Sequence, residues 1–215
     1  MDAPTNLRLA SDDVTDRGAT SLRLLWDGVT NATEYRLRLI DSVGTVFLEV
    51  QNAACVAAGL IPNREYTISV MAMGGGASSP YSSQIVTCTR PPRPPAPTSA
   101  ALPFGTVVSW DWSALQLDES VPVTGTVVCR DASGVSMSIV ESSDRIGSAQ
   151  TAVYGASYFS LFLTSVRPSA PGGVNASVSS PESQSTSLIG AVPDGGAVVQ
   201  KELLQRLCMQ AIRRA

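Results

Sequence analysis

Residues 59–70 read GLIPNREYTISV. Leu60 and Pro62 precede a short polar turn, and from Tyr66 onward Tyr66, Ile68 and Val70 alternate with Thr67 and Ser69. That period of two marks a strand with one face on a core. Pro62 fixes its own φ where the chain is still turning. Tyr66 follows Leu60 by six residues, just where a loop becomes a strand, and that strand's apolar face needs packed sheets to bury it.

The flanking sequence supplies those sheets. TSLRLLWD (20–27) sets Leu22, Leu24 and Trp26 on one side and Ser21 and Arg23 on the other, and EYRLRLID (34–41) sets Tyr35, Leu37 and Leu39 opposite Arg36 and Arg38. Two half-buried strands of this kind need a second sheet over their apolar faces. GTVFLEVQ and AACVAAG are shorter strand candidates; Gly74–Gly76 end the run YTISVMAM, and SQIVTCT resumes extended structure. Strands and turns at this spacing predict an all-β sandwich of about 90 residues.

Beyond it, RPPRPPAP (90–97) cannot join a central strand, because proline lacks the ladder donor and restricts the residue before it. It reads as an extended polyproline II connector over 91–97. Its PxxP patterns also admit a docking-motif reading, although the arginines do not sit at the usual positions. TVVSWDWS then places Val108, Trp110 and Trp112 on one face, and TGTVVCRD, VSMSIVES and YFSLFLTSV follow as strands. Val153 precedes Phe159 by the separation that divides Leu60 from Tyr66, so residues 98–180 predict a second sandwich. Residues 181–196 are rich in serine, glycine and proline and read as a flexible tether. In 197–215, Val199, Leu203, Leu207 and Ala211 form a stripe with Leu204, Cys208 and Ile212 beside it, which is helical spacing. A helix this short needs its stripe covered, by its own domain or by a partner.

The AP..L opening (Ala3, Pro4, Leu7), Trp26 in the second strand, Tyr35 in the third and Leu60-x-Pro62-x-x-x-Tyr66 before the sixth together resemble a fibronectin type III domain over residues 1–90. The second half is similar to a divergent fibronectin type III or immunoglobulin-like repeat. The resemblance implies Greek-key sandwiches in tandem, with Trp26, Tyr35, Trp110, Trp112 and Phe159 in the cores. It also implies a tyrosine corner, in which Leu60 plugs the core and the Tyr66 hydroxyl bonds back to the crossing loop. Phe159 would keep the apolar part of that device without the hydrogen bond.

Composition narrows the function. The 215 residues carry 44% hydrophobic and 15% charged side chains and a net charge of −3, enough apolar content for one large core or two smaller ones. With a single lysine, Lys201, the chain offers no basic tract for nucleic acid, and no apolar run approaches a membrane helix. Histidine is absent, which removes the commonest general base and metal ligand. Cys55, Cys88, Cys129 and Cys208 lie far apart without a CxxC pair and read as core residues. Asp12, Asp13 and Asp16 crowd together but do not match a calcium loop, and Gly74–Gly76 open no helix that would cradle phosphate.

These readings predict a non-enzymatic interaction or scaffold module without cofactor, metal or catalytic residues. Its partners would be proteins, and the terminal helix would be a docking element. No signal peptide is visible at the amino terminus, so an intracellular assembly is expected if Met1 is the natural start. If the chain is a processed fragment, an extracellular adhesive or accessory module is expected, with Asn31-Ala-Thr33 and Asn175-Ala-Ser177 as glycosylation triplets.

Overall fold

The computed structural model describes residues 1–102, 105–119, 121–131, 133–151, 157–165 and 178–187. Among them every regular element is a β-strand. The helix expected over 197–215, with Val199, Leu203, Leu204, Leu207, Cys208 and Ile212, lies outside the described residues, as does Val153. The chain divides into two compact units. The first comprises Met1–Pro92, Leu115–Val123 and Leu163–Pro181; the second comprises Arg93–Ala114, Thr124–Phe162 and Glu182–Ala215.

The first half of the chain forms β1 (Arg8–Leu9), β2 (Ser21–Leu25), β3 (Glu34–Ile40), β4 (Thr45–Val50), β5 (Ala54–Ala58), β6 (Glu65–Gly74), β7 (Ala77–Ser78) and β8 (Ile85–Cys88). One sheet has the order β1-β2-β5; the other runs β4-β3-β6, with β7 and β8 both pairing with β6. The alternation written in the sequence sets the faces. Leu22 and Leu24 of β2, Leu37 and Leu39 of β3, Ala57 of β5, and Ile68, Val70 and Ala72 of β6 are almost wholly buried in one cluster. Each fully buried leucine or valine contributes about 1.5–3 kcal/mol relative to exposure, so this cluster dominates the unit's stability.

The crossing loop needs unusual backbone at two points. Gly59 has φ 73° and Asn63 has φ 57°, the left-handed region that glycine enters freely and asparagine tolerates. Gly74 is needed for space: a Cβ there would lie 2.4 Å from the carbonyl oxygen of Asn31.

The second half forms β9 (Thr98–Leu102), β10 (Gly105–Asp111), β11 (Val123–Asp131), β12 (Ser136–Ser142), β13 (Ile146–Thr151), β14 (Ser157–Ser165), β15 (Val178–Ser179) and β16 (Thr186–Ser187). Its sheets are β9-β10-β13 and β12-β11-β14, with β15 and β16 both on β14. This is the strand order of the first half, element for element. Trp110 lies flat across its cross-strand partner Gly147, where a Cβ would come within 2.5 Å of the indole.

Residues 181–187, expected at the start of a tether, are instead bonded to β14. Ser183 and Leu161 exchange hydrogen bonds, and Thr186 pairs with Phe159.

Candidate protein-binding surface

The aromatic residues named from the sequence are placed as follows. Tyr66 is 3% exposed, and its hydroxyl accepts the Ile61 N–H at 2.9 Å; Leu60 is buried beside it and Pro62 is half-buried. Tyr35 makes a parallel contact, its hydroxyl accepting the Val29 N–H at 2.9 Å, while its ring meets Trp26 edge-on at 5.4 Å. Trp110 donates from Nε1 to the Asp144 carbonyl at 3.0 Å, and Trp112 lies under Arg145 at 5.5 Å. Phe159 is fully buried. These are core and loop-fastening positions.

The acidic cluster is dispersed among local partners. Asp13 accepts hydrogen bonds from Thr15, Ser11 and Asp16, which hold its carboxyl well below the usual range. Asp12 pairs with Arg17 at 2.7 Å, and Asp16 lies 3.4 Å from Arg23. No group of three potential metal ligands occurs among the described residues.

What the sheet presents outward is different in kind. On the face of β4-β3-β6 turned away from the core, Phe47, Arg38 and Ser69 form one cross-strand row; Glu49, Arg36 and Met71 form the next. Phe47 is 55% exposed, and Val86 of β8 on the same face is 51% exposed. The Arg38 guanidinium carbon sits 4.4 Å over the Tyr81 ring, and Arg38 pairs with no carboxylate among the described residues. Its Nε is buried without a hydrogen-bond acceptor. Arg36, by contrast, is satisfied by Glu49 at 2.5 Å. Phenylalanine, tyrosine, methionine and arginine together are the composition enriched at the centres of protein interfaces.

A short motif positions Tyr81. Residues 79–82 read Ser-Pro-Tyr-Ser, and proline cannot donate to the ladder. The serines take over: the Val70 N–H donates to Ser82 Oγ at 3.1 Å and the Ala72 N–H to Ser79 Oγ at 2.9 Å. Their own N–H groups return bonds to the Val70 and Ala72 carbonyls at 2.8 Å. Residues 180–183 read Ser-Pro-Glu-Ser and do the same on β14. There the Leu161 and Leu163 N–H groups donate to Ser183 and Ser180 Oγ, each at 2.9 Å.

Anchored on these serines, Leu161 corresponds to Val70, Ser160 to Ser69 and Phe159 to Ile68. The cross-strand pairs Ile68–Ile85 and Phe159–Thr186 agree with that alignment. The register therefore places Ser157, not Phe159, at the position of Tyr66. Sequence spacing misaligned the pair because it relied on an apolar residue at a fixed separation, and such residues recur at every second position of a strand.

A fibronectin type III family model matches residues 2–88. Residues 2–88 form a fibronectin type III domain. A two-domain fibronectin type III segment of chicken tenascin is similar in fold, with a TM-score of 0.50, 20% identity, and coverage of 87% of this chain and 99% of that one. The fibronectin type III domain of the human collagen α1(XX) chain aligns with a TM-score of 0.36 and 24% identity, covering 42% of this chain and 86% of that one. No curated protein matches the chain.

Fibronectin type III domains generally mediate protein–protein contacts or serve structural roles, and the fold is typically non-catalytic. In this fibronectin type III domain the sequence had marked the core and passed over the outward face, whose residues come from three separate segments. The recurrence of Ser-Pro-x-Ser was the available signal for Tyr81 and Glu182.

Proposed function

We propose that the chain is a non-enzymatic protein-binding module, with two sandwiches of one family in tandem and the outward face of β4-β3-β6 as its contact surface. The grouping of exposed Phe47 with the carboxylate-free Arg38 on Tyr81 carries this reading. A surface aromatic beside an unneutralised arginine is exposed at a solvation cost that a protein contact would recover. The segment 197–215 is proposed as a second, helical docking element, and the setting as a larger intracellular assembly.

The test is capture of partners from the native source by the intact chain, compared with Phe47→Asp and with a chain ending at 196. Loss of the same partners with Phe47→Asp, in a variant that keeps its melting temperature, supports the sheet face. Unchanged capture overturns it. Intact-mass measurement of thiols in native material tests the compartment: free Cys55, Cys88 and Cys129 fit a reducing one, whereas disulfides or a glycan at Asn31 would place the protein outside the cell.

A further inference from the structure

The two Ser-Pro-x-Ser segments hold different residues at x, and in each half the residue at x meets an arginine. In the second half x is Glu182, whose carboxylate takes both terminal nitrogens of Arg130, at 2.8 Å for Nη2 and closer for Nη1. Arg130 also donates to Ser160 at 2.8 Å, and Ser160 is the counterpart of Ser69, the cross-strand neighbour of Arg38. Arg130 opens the β11–β12 hairpin opposite Ser136, as Ile40 opens that of β3–β4 opposite Thr45, so it reaches its residue at x from two places along the strand; there it is neutralised from within the chain. In the first half x is Tyr81, which supports Arg38 from below with its ring and brings no negative charge.

We infer that the first fibronectin type III domain uses Arg38 to receive an aspartate or glutamate side chain from its protein partner, as Arg130 receives Glu182 in the second half. The inference rests on the protein-binding reading above and names the chemistry of its occupant. Tyr81 fixes the guanidinium plane by cation–π contact, so its orientation is set before the partner arrives. The incoming carboxylate finds terminal nitrogens that no carboxylate among the described residues pairs, and planar bidentate pairing is the geometry guanidinium favours. Phe47, next along the same row, supplies apolar area for the residue that flanks the acid. Arg130 is closed to such a ligand because Glu182 already occupies it.

The experiment is a titration of the isotopically labelled full chain with the peptide Ac-Val-Glu-Val-Glu-Val-NH2, read on the Arg38 side-chain resonances, with the Lys-for-Glu peptide as comparison. Saturable shifts with the glutamate peptide only are expected. Tyr81→Glu, which transplants the arrangement of the second half, is expected to weaken binding by about tenfold or more, the usual scale for one charge-assisted pair. Arg38→Gln should do the same without adding charge, so a folding defect in one variant leaves the other as the test. Equal response to both peptides, or undiminished binding by both variants, overturns the inference. If the glutamate peptide gives no shift while Phe47→Asp still abolishes partner capture, the carboxylate assignment falls and the wider surface stands. If neither has an effect, both fall.

Discussion

Replacing Tyr66 by phenylalanine isolates one hydrogen bond in the crossing loop. The ring is 3% exposed and stays in place in the variant, so the apolar contribution is retained; what is lost is the bond from the Ile61 N–H at 2.9 Å. A hydrogen bond of this type contributes about 0.5–1.5 kcal/mol net. Ile61 itself is 40% exposed, so water can reach the freed amide and the larger penalty for a buried orphan does not apply. The expected loss is about 1 kcal/mol, a fall in melting temperature of roughly 4–8 °C for a domain of this size. Calorimetry of the full chain reads the shift, and hydrogen exchange on peptides spanning β5 and β6 assigns it to the first half. The pH dependence supplies a second reading. Burial, the largest influence, pushes the Tyr66 hydroxyl above its ordinary value. A phenol raised in the folded state contributes stability fully below the unfolded value, and this is lost as pH rises through the folded one. Tyr66→Phe should therefore make the alkaline loss of stability shallower. A variant that melts with the wild type, or one that loses more than about 3 kcal/mol, would refute the assignment of a single solvent-accessible bond.

Gly147→Ala should cost about 1–3 kcal/mol by overpacking, because the added Cβ meets the Trp110 indole; altered tryptophan fluorescence together with a lower melting point checks it. Arg64 lies 3.3 Å from Asp41 and 2.9 Å from Asp118, with side chains 14%, 14% and 10% exposed. Arg64→Leu removes the guanidinium that both carboxylates share and should cost about 2 kcal/mol, less than a fully buried pair because the groups are partly exposed and Asp41 keeps the Val43 and Gly44 N–H groups; urea unfolding measures it. Hydrogen bonding by Arg130, opposed by burial, holds the Glu182 carboxyl below its usual range. Its contribution is therefore full above the ordinary glutamate value and is lost as pH falls through the lowered one. With the side chains 33% and 37% exposed, Glu182→Gln should remove under about 1 kcal/mol near neutrality and flatten the acid limb of a stability–pH curve.

What the sequence made legible follows from where the information lies. Leu22, Leu24, Leu37, Leu39, Ile68 and Val70 announce their burial by alternation, because a strand writes its two faces into neighbouring residues. Tyr66 and its loop were legible for the same reason: the contact to Ile61 spans a few residues. The Phe47–Arg38–Tyr81 row was not, since it depends on the register of two strand pairs and on a loop far along the chain, and register is set by tertiary packing. Asp118 is a similar case. Nothing local marks it as a partner of Arg64, which lies 54 residues earlier in the chain. Phe159 shows the opposite failure, in which an apolar residue two places out of register satisfies the same spacing rule.

The proline–serine ends of the two sheets bear on how a β-rich chain avoids pairing with itself. Neighbouring domains of one fold present matching edges while they assemble, and a bare edge invites a strand from the wrong domain or another molecule. At Pro80 and Pro181 the backbone has no donor to offer, and the hydroxyls of Ser79, Ser82, Ser180 and Ser183 are taken up by N–H groups of β6 and β14 and by the carbonyls of Pro80, Ser83, Pro181 and Gln184. A foreign strand arriving there meets an interrupted row that it cannot extend. The four residues that orient Tyr81 and Glu182 thereby also keep each sheet from recruiting its neighbour.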